Sequence, residues 1–500
     1  MVKTTSTQPD PGPFAIPALA VASHPDVMLN ARDLRRWMER LPMANPVKAA
    51  SLLLLQLRLL TRDPQRNPRL GVLLEHYREP LRQLQVTVSE RLPAGLDCAL
   101  LPDQLESLLI DLLAELAFGH LRIANQQLAT GKTPGLEVLF PAISLLDDAL
   151  GVERLHYCRL STQRWRLLLH IYLRAEHGQL ADQPVDAKLR PEDGPDTIRA
   201  LFLRALLVSL CDPHNQAPGD MLAWHRWAGN HLDLLALTVL PQGTFTIPID
   251  ISGEQAPLTG ARKSRPGPDT RYLACDGFIQ ALEKDESAPK GLRNALTGLI
   301  KGRRTQEQRR AERQPRNHPY RLIHGMRDIH RRLSELTQGG DPGRSSVEPM
   351  PCRQVNQSRY GAAFQLQGPV NPPFSIGEPV LAEAEASQNA TAPVGFAARL
   401  RRVFSEDGRR IEIGVEKILG RLIPVTIVGA AAERCRGDTL ALLQHDTDSG
   451  RYTLLAARSI YREGDHVLVQ GPSITHKLRM QRLGGIVQHT AHIDVEPIEN

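Results

Sequence analysis

Asn356, Ser358 and Gly361 stand in the spacing N-x-S-x-x-G within the stretch VNQSRYGAAFQLQG, and upstream of them Arg309 and Arg313 stand as R-x-x-x-R. Short amide and hydroxyl side chains beside a glycine suit a turn that offers hydrogen-bonding groups where the backbone must come close to something else. Arginine supplies a planar fork of donors that matches phosphate oxygens, pairs with guanine O6 and N7, or stacks on a base. The same residues also make ordinary turns. Asn356-Gln357-Ser358 and Asn389-Ala390-Thr391 fit glycosylation acceptors as well, which matter only in a secreted chain.

The arginines belong to an abnormal segment. Residues 301–332 carry eleven Lys/Arg against three Asp/Glu, a net of +8, while the whole chain carries +6, so the remainder sums to −2. Three readings fit a basic run of this kind: a solvated linker or helix face, a nucleic-acid tether, or a site for a compact phosphate-bearing ligand.

Other candidate chemistry is weaker. Gly131-Lys132-Thr133 suggests a phosphate loop, but the earlier glycine position is Gln126 and a helical pattern precedes it. Cys211 and His214 lack further ligands at metal spacing, and His225 and His231 have no carboxylate between them. His489 and His492 fall on opposite faces of a strand. Trp224 and Trp227 read as core or interface. No G-x-S-x-G is present and no paired-carboxylate constellation stands out, so no enzyme, metal or cofactor is expected.

Five hundred residues require two to four domains. Six scattered cysteines suit a reducing compartment, the N-terminal apolar run is broken by Pro13 and Pro17, and no uninterrupted apolar run reaches membrane-spanning length. A cytoplasmic protein with no membrane insertion is expected. The pattern predicts a disordered tail over 1–28 and an all-α helical region over 29–300. Its signals include Asn30 as a helix cap, Pro46 at a helix start, a long apolar-striped helix in LPDQLESLLIDLLAELAFGHLRIANQQLA, a stop at Gly178 and another at Pro213. From about 320 the period changes to that of short strands, with a hairpin in FAARLRRVF-SEDG-RRIEIGVEK turning at Asp407-Gly408. The fold class expected is multidomain α + β, with one or two small antiparallel β-barrels after the helices.

An arginine pair before the first strand of a small barrel, followed by [DN]-x-S-x-x-G, resembles the PilZ domain, a family of bacterial receptors for cyclic di-GMP. The phrases SIGEPVLAEAEA, ARLRRVFSEDGRRIEIGVEK and PVTIVG follow in the order seen in such barrels, and the resemblance covers roughly residues 305–430. It divides the β half into a basic segment plus PilZ-like barrel over 301–430 and a β-rich extension over 431–500. The resemblance implies that Arg309 and Arg313, with Arg310 beside them, engage cyclic di-GMP from the segment before the barrel. Asn356 and Ser358 would meet a guanine edge or neighbouring backbone, and Gly361 would allow close approach or a positive φ. The interval from Arg313 to Asn356 exceeds the family's usual one, which implies an insertion, the helix-like RDIHRRLSELTQ. A second register, Arg327 and Arg331, shortens the interval but follows the first strand candidate. Ala362 stands where many members carry a second glycine.

The expected function is a non-catalytic signalling receptor that couples cyclic di-GMP binding to an unidentified protein partner through the helical domain. The alternative is a scaffold or chaperone-like protein with a degenerate, non-binding barrel. A nucleic-acid binder using residues 301–332 comes third, because no aromatic RNA-reading motif or helix-turn-helix accompanies it.

Overall fold

The structure is a computed structural model. It describes residues 12–65, 67–91, 103–190, 194–251, 270–289, 292–293, 295–296, 313–339, 346–367, 374–385, 395–406, 410–434, 439–447, 449–472, 475–487 and 490–498. The described residues form two compact units, one within 12–296 and one within 313–498.

The first unit holds α1 (Ala31–Met38), α2 (Pro46–Thr61), α3 (Leu70–Glu75), α4 (Arg78–Glu90), α5 (Gln104–Ala129), α6 (Leu136–Leu155), α7 (Thr162–His177), α8 (Ile198–Leu210), α9 (Pro218–Gly229) and α10 (Asp276–Lys284). Local signals set the ends. Asn30 caps α1 by accepting from Arg32 N, Pro46 opens α2, and Asp103 and Glu106 close a reciprocal capping box on α5. The 26-residue α5 is the spine of the unit. Leu105, Leu109, Leu112 and Leu116 join the core with α1–α4, while Ala117, Leu121 and Ala124 join a second core with α6–α10. None of the described helices is long and apolar enough to cross a membrane.

Two features depart from the sequence reading. First, the region is not wholly helical. A three-stranded antiparallel sheet of β1 (Ala236–Thr238), β2 (Thr246–Asp250) and β3 (Thr270–Ala274), in the order β1-β3-β2, packs Leu237, Ile247, Ile249 and Leu273 into the second core. Second, residues 12–28 run as a strap rather than a free tail. Phe14 is buried, and Asn125 pins its backbone by accepting from Phe14 N at 2.8 Å and donating to Phe14 O at 2.9 Å. Arg122 donates to Pro17 O at 2.6 Å. One buried aromatic ring and a few side chain–backbone bonds hold a segment whose composition alone looks unstructured.

The second unit contains two closed six-stranded barrels. The first is built from β4 (Gln314–His324), β5 (Met350–Gln357), β6 (Gly361–Leu366), β7 (Pro379–Ala384), β8 (Gly395–Glu406) and β9 (Arg410–Lys417), in the order β4-β5-β6-β9-β8-β7. The second uses β10 (Arg421–Val428), β11 (Leu440–Asp446), β12 (Arg451–Ala457), β13 (His466–Gln470), β14 (Thr475–Val487) and β15 (Thr490–Pro497), in the order β10-β11-β12-β15-β14-β13. The two orders are the same, first-second-third-sixth-fifth-fourth. The segment PVTIVG, read from sequence as the end of the first barrel, lies in β10, which pairs with β11 and β13 and so opens the second. The β-rich extension over 431–500 therefore supplies five of the six strands of a second closed barrel, and β10 completes it. The turn at Asp407-Gly408 falls outside the described residues.

The helix-like insertion is α11 (Met326–Thr337), between β4 and β5. Its Ile329 is buried in a cluster with Ile323 and Leu381 of the first barrel and Leu442 and Leu455 of the second. His330 Nε2 lies 3.1 Å from the Val425 carbonyl oxygen. The short helix α12 (Ala430–Arg434) occupies the corresponding place between β10 and β11.

Candidate functional site

The polar motif is a hairpin. Asn356 sits near the end of β5, Gly361 starts β6, and Ser358 closes the turn between them: its N–H donates to Gly361 O at 2.7 Å and its Oγ accepts from Gly361 N at 3.1 Å. Gly361 has no positive φ. Its requirement is space, because a Cβ there would lie 2.7 Å from Val415 O in β9. Of the two reasons for glycine expected from sequence, close approach is the one seen, and the neighbour is the barrel's own backbone. Lys417 N donates to Tyr360 O at 2.8 Å, which ties the turn to the end of β9.

The register of β4 on β5 decides which arginine comes near. Gln314 faces Gln357 and Pro315 faces Asn356, so Arg313, one residue before β4, stands at the level of Ser358. It is exposed. Arg309 and Arg310 lie outside the described residues. Arg327 and Arg331 lie elsewhere, one turn apart on the exposed side of α11. The long interval between Arg313 and Asn356 is taken up by α11 and the segment after it, so the insertion does not separate the arginine from the hairpin.

Cross-strand pairing shows a wider surface. Gln354, Phe364, Ile413 and Val403 face one another in sequence across β5, β6, β9 and β8, and all are buried in the lumen. The next row alternates to the outside: Asn356 faces Ala363, Ala363 faces Gly414, and Gly414 faces Arg402. Strands are about 4.8 Å apart, so Asn356 and Arg402 stand roughly 14 Å apart at the backbone, separated by two residues with almost no side chain, of which Ala363 is buried. Register shifts at Gln354/Asn356 and Leu400/Arg402 bring both residues onto this face. The Arg402 guanidinium lies over the Phe404 ring, 4.4 Å from its centroid. Asn356 Oδ1 is buried without a hydrogen-bond partner. Such an atom carries an uncompensated desolvation cost that an incoming donor would relieve.

The hairpin end is cationic. Arg313 and Arg359 are exposed, and Lys417 holds its ammonium 4.8 Å from the centroid of Phe396 with its pKa lowered by burial. Glu416 is engaged by Arg401, whose Nε donates to it at 2.7 Å. The arrangement can fork onto anionic oxygens from the arginine side and meet a polar ring edge at Asn356. Sequence reasoning missed Arg402 and Gly414. The signal was present, since Gly414 falls out of phase with Ile411, Ile413 and Val415, but naming its neighbour requires the strand register.

Two of the remaining polar candidates are engaged by neighbouring groups, and His489 lies outside the described residues. His214 Nε2 lies 2.9 Å from Cys158 O, and Trp227 Nε1 donates to Asp285 at 2.7 Å. Cys275 and Cys352 are free thiols. Among the described residues no group of three His, Cys, Asp or Glu is placed to hold a metal ion.

No curated protein matches the chain. Residues 32–242 match the model of a family described as the N-terminal domain of the cyclic-di-GMP receptor FimW, a match that runs from the first turn of α1 to just past β1 and ends before both barrels.

Proposed function

We propose that this protein is a non-catalytic, cytoplasmic receptor for cyclic di-GMP, and that its first barrel is a PilZ-like ligand domain. Two stretches of chain that do not overlap support the same ligand: the helical region through its family match, and the barrel through its motif. The observation that carries the reading is the β4–β5 register, which sets Arg313 beside the Asn356–Gly361 hairpin. In this account Arg313, with Arg309 and Arg310, forks onto the phosphodiesters or a guanine face. Asn356 supplies its unpartnered amide oxygen to a guanine N–H, and Arg402 stands at the far end of the same row. The helical region carries the signal to a protein partner, which requires that the ligand favour one arrangement of the chain over another.

A second reading has its own support. The Ser358 hydroxyl and the space at Gly361 are already used by the hairpin and by β9, as a scaffold barrel without ligand would use them. Calorimetry on the full chain separates the two. The receptor binds cyclic di-GMP saturably, selects against GMP and duplex DNA, and lacks the steep salt slope of counterion release. Arg313→Ala weakens binding about ten- to a hundredfold, on the order of 1.5–3 kcal/mol. Arg327→Ala with Arg331→Ala leaves it nearly unchanged. No binding by the wild type at high ligand concentration would leave the scaffold; loss only in the α11 variant would move the ligand to that helix.

A further inference from the structure

The helical unit contains a cavity of about 180 Å³ between α4, α5, α6, α8 and α9. Its walls are mainly apolar, with Val88, Leu109, Val208 and Met221 among them, but Asp147 and Arg154 also line it. Both are buried, at 1% and 2% exposure. Asp147 Oδ2 accepts from Arg204 Nε at 2.9 Å and Nη2 at 2.6 Å. Arg154 Nη2 donates to Ala205 O and Ser209 Oγ, each at 2.8 Å. The other atoms are left over: Asp147 Oδ1, Arg154 Nη1 and Arg154 Nε make no hydrogen bond. Asp147 Oδ1 and Arg154 Nη1 stand 3.9 Å apart, too far for a direct hydrogen bond.

A purely structural ion pair would be expected to close that gap, because buried donors and acceptors without partners are costly. An apolar cavity with a few convergent polar atoms is instead the usual form of a small-molecule site. We propose that this cavity binds a small neutral amphiphile, with an apolar body of about six carbons and a primary amide or hydroxyl head that donates to Asp147 Oδ1 and accepts from Arg154 Nη1. The size follows from comparison with an apolar cavity of about 150 Å³ that holds benzene. Neutrality follows from the charges already present. Asp147 is paired with Arg204, an anion would meet Asp147 and Asp148, and a cation would meet Arg154 and Arg204. Either ion would also have to shed its water. His225 at the cavity, 4.0 Å from Asp147, adds no charge near neutrality, since burial lowers its pKa to about 4.

The test uses the full chain with four probes of equal chain length: hexanamide, 1-hexanol, hexanoate and hexylamine. Ligand-observed NMR and thermal shift should show saturable binding of the amide and alcohol, with both ions at least tenfold weaker. Gly151 lines the cavity, and a Cβ added there meets nothing within 4 Å, so Gly151→Leu should fill the space without harming α6. That variant should lose binding while melting no lower than the wild type. The proposal is overturned if no probe binds saturably, if either ion binds as tightly as the amide, or if Gly151→Leu binds all probes unchanged.

Discussion

Replacing Gly361 by alanine asks what that glycine is for. The new Cβ would stand 2.7 Å from Val415 O, a backbone atom of β9 that no side-chain rotation can remove. Ordinary contact begins near 3.4 Å, so β6 must retreat from β9 by roughly 0.7 Å, by difference, where Gly361 faces Glu416 and Ala362 faces Val415. Overpacking of this kind costs about 1–3 kcal/mol. For a folding unit of 150–250 residues each kcal/mol lowers Tm by about 2–4 °C, so a drop of about 2–12 °C is expected without any ligand. The assay is thermal unfolding of the full chain followed by the β signal in circular dichroism. All four tryptophans, Trp37, Trp165, Trp224 and Trp227, precede β4, so their emission checks that the helical unit is folded at the start. Valine should be worse than alanine. A variant that melts with the wild type yet loses cyclic di-GMP would refute this reasoning and make Gly361 a ligand-facing residue.

Three further outcomes follow from buried groups. Arg332, fully buried, donates to Glu383 at 2.7 and 3.2 Å, so Arg332→Ala should cost about 3–5 kcal/mol in urea unfolding, and Arg332→Met with Glu383→Leu should recover most of it. Burial raises the Glu378 carboxyl from 4.5 to about 8, so the folded state holds the proton more tightly and stability falls as pH rises through that window. Glu378→Gln should therefore be more stable than wild type at pH 8, by up to ~1.4 kcal/mol per pH unit of the window, with the gap closing toward pH 4.5. Phe14→Ala should cost about 3–5 kcal/mol in the helical unit; an unchanged stability would restore the free tail.

The helices were legible because their signals are local. Asn30, Pro46, Gly178 and the apolar stripe of α5 each act within a few residues of the boundary they mark. The sheet within the helical region was not legible, since β1–β3 are three to five residues long and nineteen residues separate the last two. The strap depends on Asn125, more than a hundred residues away. The strands were readable by alternation, but the division between barrels was not, because β9 and β10 are neighbours in sequence and only pairing assigns them to different sheets. The candidate site was half legible for the same reason. Asn356, Ser358 and Gly361 are a local turn, whereas the approach of Arg313 across an inserted helix, and the row that ends at Arg402, are products of register.

The burial of Ile329 with Leu442 and Leu455 limits the modularity of this chain. α11 belongs to the first barrel by connection, yet it helps cover the second, so the two barrels share apolar surface that neither covers alone. A fragment beginning at β10 would leave Leu442 and Leu455 in water, and one ending near 430 would carry β10 with neither of its pairing strands. Either barrel made alone should be prone to association through the exposed patch. The smallest portable piece of the β half is therefore the pair, and shuffling or truncation that treats the second barrel as an optional appendage removes part of the first barrel's own covering.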